Sequence, residues 1–210
     1  MKKNTFIAIL LTVFTSFSLY AQNDAKAVSI IENIIKLSSS NAVKTNFSWL
    51  VKSSVGGSQT VKGDFTMKGR KFIFNSTEVT VYFDGKTQWS YREDLNEVTI
   101  TNPTEKELAE TNPMAILSTY KAKSVIKMVK TSTTLYVIQL IPKDTKSDVK
   151  KIIVNVNKTN NYPLSLQLTD KKGTTSTLTL SQFKANVKIA ESAFVFNKNK
   201  YKNVEINDLR

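Results

Sequence analysis

The chain has no cysteine and no histidine. Their absence removes the thiol nucleophile, the commonest general base and the soft metal ligands, so cysteine- or histidine-driven hydrolysis and a Cys/His zinc site are set aside. No disulfide can brace the fold, but a single domain of about 190 residues buries a sufficient core without one. Internal repeats and low-complexity tracts are also lacking. Beyond the N-terminus no apolar run approaches the roughly 20 residues that a membrane-spanning helix needs.

What is present begins with a targeting signal. Lys2 and Lys3 precede an apolar core from Phe6 to Phe17, and Ser18-Leu19-Tyr20-Ala21 leads to Gln22. This is the pattern of a secretory signal over residues 1–21, cut after Ala21, with residues 22–210 as one domain. The apolar core is too short for a comfortable membrane anchor. No cysteine follows it, so the mature N-terminus cannot carry a thioether-linked lipid, and a soluble protein in the periplasm or outside is expected. The formal charge of the full chain is +13, and losing Lys2 and Lys3 leaves +11. Such a balance suits a solvated surface or attraction to anionic headgroups. Nucleic acid is disfavoured, because the lysines are scattered through short strands rather than gathered on one helix or stripe.

Asn23-Asp24 can cap a helix from Ala25 to Ser38, with Ala27, Ile30, Ile31, Ile34 and Ile35 on one face. From Val43 the period drops to 2. Phe47, Trp49 and Val51 oppose Asn46, Ser48 and Leu50, and Val61, Gly63, Phe65 and Met67 oppose Lys62, Asp64, Thr66 and Lys68. "KFIFN", "EVTVYF" and a hairpin at Asp84-Gly85 continue an antiparallel meander. After the hairpin, Trp89 and Tyr91 point one way and Gln88 and Ser90 the other. Thr104 and Glu107 fit a capping box, and Asn112-Pro113 starts a helical piece carrying Met114, Ile116, Leu117 and Tyr120. Strands resume at "SVIKMVKT" and run to "SAFVFN", after which the tail is polar. About eleven strands and two helical regions result.

Each strand alternates, so the sheet has one apolar face. About eleven strands at ~4.8 Å spacing would span roughly 50 Å if flat, whereas a helix covers only ~10 Å. Two short helical regions cannot cover such a face. The sheet is therefore expected to curl into an incomplete barrel, with its interior filled by the helices or left as an apolar cavity. A two-sheet sandwich without a cavity is the alternative. Candidates for the interior are Phe47, Trp49, Phe65, Met67, Phe72, Phe74, Trp89, Tyr91, Met114 and Leu117. Methionines suit variable chains because they repack readily. Glu93, Asp94, Glu97 and Asp84 cluster near reversals and read as turn residues rather than a paired-carboxylate active site.

The ordered pieces "VKGDFTMKGRKFIF", "DGKTQWSYREDLNEVTI", "NPMAILSTY", "KKIIVNVNKTNNYPLSLQLTD" and "AFVF" resemble the outer-membrane lipoprotein carrier (LolA) family over nearly the whole mature chain. The resemblance implies a mainly β fold, an open and strongly curved antiparallel sheet with a helical lid over an apolar cavity. It implies a periplasmic carrier, expected as a monomer, that is no enzyme and uses no cofactor. Such a carrier takes lipoproteins by their acyl chains from an inner-membrane ATP-driven release complex and hands them to an outer-membrane acceptor. A carrier or binding module for another lipid or amphiphile on the same scaffold is the alternative. The family typically places an arginine followed by proline after a "G-x-L-x-V-K"-like strand, linked to holding the lid closed. Here "GDFTMK" is followed by Gly69, Arg70 and Lys71 with no proline, and Arg70 is the nearest equivalent to that lid latch, one position late.

Overall fold

The structure is a computed structural model and describes residues 23–37, 41–104, 107–108 and 115–210. The proposed signal and its cleavage site lie outside the described residues, as do Ser38 and Met114. Among the described residues, no helix is long and apolar enough to cross a membrane.

Alternation of apolar and polar residues produces most of the strands. The first wing comprises β1 (Ala42–Lys52), β2 (Ser58–Lys68), β3 (Lys71–Ser76), β4 (Thr80–Phe83), β5 (Gln88–Arg92) and β6 (Glu97–Thr101). The second comprises β7 (Ser124–Thr131), β8 (Leu135–Pro142), β9 (Val149–Asn157), β10 (Pro163–Asp170) and β11 (Thr175–Val187). Each wing is a meander of hairpins. β1 pairs antiparallel with β11 and joins them into one sheet.

A twelfth strand, β12 (Glu205–Asp208), pairs parallel with β6. The full order is β12-β6-β5-β4-β3-β2-β1-β11-β10-β9-β8-β7, open at both edges. A single buried cluster draws side chains from β1 to β4, from β7 to β11 and from the N-terminal helix, so both wings bend toward that helix.

The tail departs from expectation twice. "SAFVFN" is not a strand: Glu191–Phe194 form a 3-10 turn, with Phe194 fully buried. The polar tail, in turn, forms β12, whose side chains are all exposed. Main-chain bonds hold it to β6, with the Glu205 amide donating to Asn96 O at 3.0 Å and the Leu209 amide to Ile100 O at 2.9 Å, and the Asn96 side-chain amide donates to the Lys202 and Asn203 carbonyls just before it. A strand made by main-chain pairing at an edge leaves no hydrophobic alternation to read.

The first helix sits where its cap predicts; Asn112-Pro113, the expected start of the later helix, lies outside the described residues. In α1 (Ala25–Lys36), Asp24 Oδ1 accepts from the Ala27 amide at 3.0 Å. Asn23 Oδ1 instead accepts from the Ile126 amide at 2.8 Å, which pins the start of α1 to β7. The capping box is present: Glu107 Oε2 accepts from the Thr104 amide at 2.7 Å, and Thr104 Oγ1 accepts from the Glu107 amide at 3.4 Å. The later helix, α2 (Ala115–Lys121), packs beside α1 on the same face of the sheet, with Lys121 Nζ 2.6 Å from Glu32 Oε1.

Gly63 is required by packing. A Cβ there would lie 1.8 Å from the carbonyl oxygen of Asn75 and 3.1 Å from the Phe47 ring. The missing side chain lets β3 and the Phe47 ring close in over this point.

Candidate functional site

The helix-bearing face of the sheet is traced by register. Val43, Thr45, Phe47 and Trp49 on β1 lie opposite Met67, Phe65, Gly63 and Val61 on β2. Phe65 and Met67 face Phe74 and Phe72 on β3, and these face Val81 and Phe83 on β4. The aromatic side chains form a layer on this wing. Ring centroids lie 4.8 Å apart for Phe47 and Phe74, 5.7 Å for Phe65 and Phe72, and 5.3 Å for Phe72 and Phe83. The second wing supplies aliphatic side chains such as Ile138, Leu140, Ile152 and Val154. α1 fills the middle with Ala27, Ile30, Ile31 and Ile34.

α2 closes what is left. Leu117 is fully buried, and Ile116 and Tyr120 pack partly against the core. Beneath Ile116 lies a narrow apolar hollow bounded by Trp49, Ile152, Leu166, Leu168, Ser176 and Leu178. Its free volume is about 10 Å³ for the centre of a water-sized sphere. That is the lower limit for one water molecule, and far below the several hundred Å³ of a small-molecule pocket. Trp49 forms part of its wall, fixed by an indole N–H that donates to Ser176 Oγ at 2.6 Å. With the helices docked, therefore, this part of the interior is filled by the chain's own side chains.

Of the residues expected inside, Phe47, Phe65, Met67, Phe72, Phe74 and Leu117 come together in this buried cluster, with Trp49 at its margin. Arg70 lies exposed in the turn between β2 and β3. Trp89 and Tyr91 do not join the cluster. Trp89 lies opposite Tyr82, and Gln88 opposite Phe83, so the β5 aromatics occupy the far face of the sheet. Alternation shows which residues share a face, but strand pairing decides which face is inside.

On that far face a second cluster gathers Tyr91, Val98, Phe196 and Val204, with Tyr82, Trp89 and Tyr201 packed against it. Tyr201 stacks on Phe196 at 4.8 Å and lies 4.2 Å from Tyr91. Burial, and then a hydrogen bond with Tyr82, push the Tyr201 phenol up to about 12. The segment that carries Phe196, Tyr201 and Val204 is clasped at its start by Glu191, which pairs with Lys68 and Lys71. Those two ammonium groups hold the Glu191 carboxyl down at about 2. The sequence signal for this strap is the run of spaced aromatics Phe194, Phe196 and Tyr201, which reads equally well as a strand.

The sequence model of the family described as outer membrane lipoprotein carrier protein LolA matches residues 38–197. The chain belongs to the LolA family. An outer-membrane lipoprotein carrier protein from Photobacterium profundum is 31% identical over 183 residues, covering 83% of this chain and 86% of that protein. Among solved structures, a conserved protein from Thermus thermophilus superposes with a TM-score of 0.56 at 10% identity, covering 86% of this chain and 98% of that one. At that identity the likeness speaks for the fold alone. Membership of the LolA family supports a carrier of lipoproteins or lipids.

Proposed function

We propose that the protein is a periplasmic carrier that binds the acyl chains of lipoproteins and ferries them from the inner to the outer membrane. In this reading, residues 1–21 are removed on secretion. An ATP-driven release complex in the inner membrane supplies the cargo, and an outer-membrane acceptor receives it. The carrier acts by burial and performs no reaction. The carrying observation is the apolar face of the sheet, occupied by two short helices rather than by a second sheet. Family membership supports the same reading.

The physics of the work follows from that face. Each acyl methylene moved out of water contributes ~0.8 kcal/mol, so a chain of about 16 carbons is worth on the order of 12 kcal/mol. The narrow hollow beneath α2 cannot take such a chain; in this reading the cargo displaces helix side chains and occupies the surface they leave. α2 is suited to leave: of its seven described residues one is fully buried. A helix of so few turns is marginal on its own and holds by docking. Exchanging one apolar contact for another keeps net affinity moderate, so the cargo can be handed on.

The test is to mix the mature protein with a detergent-solubilised triacylated lipoprotein and dilute the detergent. A soluble one-to-one complex on gel filtration is expected. Aggregated lipoprotein with the carrier eluting alone overturns the reading. Free phospholipid found in native preparations, with lipoproteins refused, would assign a different amphiphile to the same face.

A further inference from the structure

The apolar face of the sheet stops at β4. Val81 and Phe83 belong to the main core, and their register partners on β5 are Ser90 and Gln88. On β6 the same face presents Thr99 opposite Ser90 and Thr101 opposite Gln88. All four side chains are half-buried. Gln88 Nε2 donates to Ser90 Oγ at 3.3 Å, which ties the pair together on this face. Over these two strands the pattern is inverted relative to the rest of the sheet. Their apolar residues, Tyr91 and Val98 among them, face outward under the C-terminal strap, and their polar residues face the side that carries the helices.

One atom on this shelf is unmatched. Gln88 Oε1 is shut off from solvent and has no hydrogen-bond partner. A buried acceptor left unpaired is unfavourable, and most are paired in folded proteins. Ser90 Oγ already accepts from Gln88, so its own proton is left to donate. The shelf thus offers an acceptor short of a donor beside hydroxyl donors, next to the aromatic layer of Phe72, Phe74 and Phe83.

A ligand with acyl chains alone gains nothing from such a shelf. A ligand whose chains are attached to a peptide brings both complements: amide N–H groups, and the carbonyls of its amide and ester linkages. Resting on the carrier reading, we infer that Gln88, Ser90 and Thr101 bind the polar linkage between acyl chains and peptide. An amide N–H of the cargo donates to Gln88 Oε1, and the Ser90 and Thr101 hydroxyls donate to linkage carbonyls. The aromatic wing then takes the hydrocarbon, and Gln88 Oε1, which needs an N–H donor, distinguishes an acylated peptide from a free fatty acid.

The experiment compares two ligands, a synthetic N-acylated, diacylglyceryl-modified lipopeptide and oleate, by titration against the mature protein. Gln88→Leu is expected to weaken lipopeptide binding about tenfold, the worth of one or two such hydrogen bonds, and to leave oleate within about twofold. Gln88→Met, which also lacks the acceptor oxygen, carries the same test where Gln88→Leu does not fold, with the same outcome expected. Equal losses for both ligands, or no loss for the lipopeptide, overturn the shelf and leave the carrier reading intact. Wild-type protein that takes up neither ligand overturns both.

Discussion

Leu117→Ala is the most informative single perturbation of the lid. Among the described residues Leu117 is the one fully buried side chain of α2, and half-buried Ile116 and Tyr120 and the Lys121–Glu32 pair add to its docking. Truncating a buried leucine to alanine costs about 2–5 kcal/mol. The low end, about 2–3 kcal/mol, applies here because a short surface helix can settle toward the gap. Placed on the docking equilibrium of α2 alone, that is about a 30- to 150-fold shift toward the undocked state.

Native-state hydrogen exchange reads this shift directly. Amides in the last turn of α2 should exchange faster by that factor, while those of Ile138, Leu140 and Val154 in the core strands change little. Undocking also removes the competitor for the apolar face, so the apparent affinity for a hydrophobic dye should rise. The reasoning is refuted if all amides accelerate together and the melting temperature falls in step, because α2 is then part of the global fold rather than a separable lid.

Three further outcomes are expected. Gly63→Ala should destabilise the protein by about 1–3 kcal/mol through overpacking, or force β3 away, because its Cβ meets the Asn75 carbonyl; urea denaturation measures this. Phe196→Ala should lower thermal stability by about 3–5 kcal/mol yet leave dye binding unchanged, because Phe196 packs on the face opposite the helices; a large loss of dye affinity would contradict that separation. Glu191 has its carboxyl lowered from 4.5 to about 2 in the folded protein. Its clasp therefore contributes fully above pH 4.5 and is lost as pH falls toward 2. Glu191→Gln should flatten the acid dependence of the melting temperature within that window, and an unchanged slope would count against the clasp.

Much of the fold is legible in the sequence because its strands advertise themselves. Phe47, Trp49, Phe65 and Met67 alternate with polar partners, and Asp84-Gly85, Asp24 and the Thr104–Glu107 pair mark turns and caps by their own chemistry. Trp89 lies on the face opposite to the expected one for a definite reason. Its alternation with Gln88 and Ser90 holds, but the residue that decides the inside face is Phe83 across the hairpin, together with Phe196 and Tyr201 more than a hundred positions later. The strap and β12 escape a sequence reading because a 3-10 turn and a backbone-held edge strand carry no period. The area argument rightly calls for a curved sheet with helices against its inner face. It does not say how tightly those helices fill that face, since the fill depends on side chains such as Leu117 and Ile116 meeting Trp49 and Leu178 from distant strands.

The two tryptophans stand on opposite faces of the sheet, which permits a direct test of where acyl chains go. Single-tryptophan proteins, Trp89→Phe and Trp49→Phe, are titrated with a fatty acid brominated along its chain, a contact quencher of indole fluorescence. The account predicts saturable quenching of Trp49 in the first protein and none of Trp89 in the second. Quenching of Trp89 with Trp49 untouched, or no saturable quenching of either, would contradict an acyl site beneath the helices.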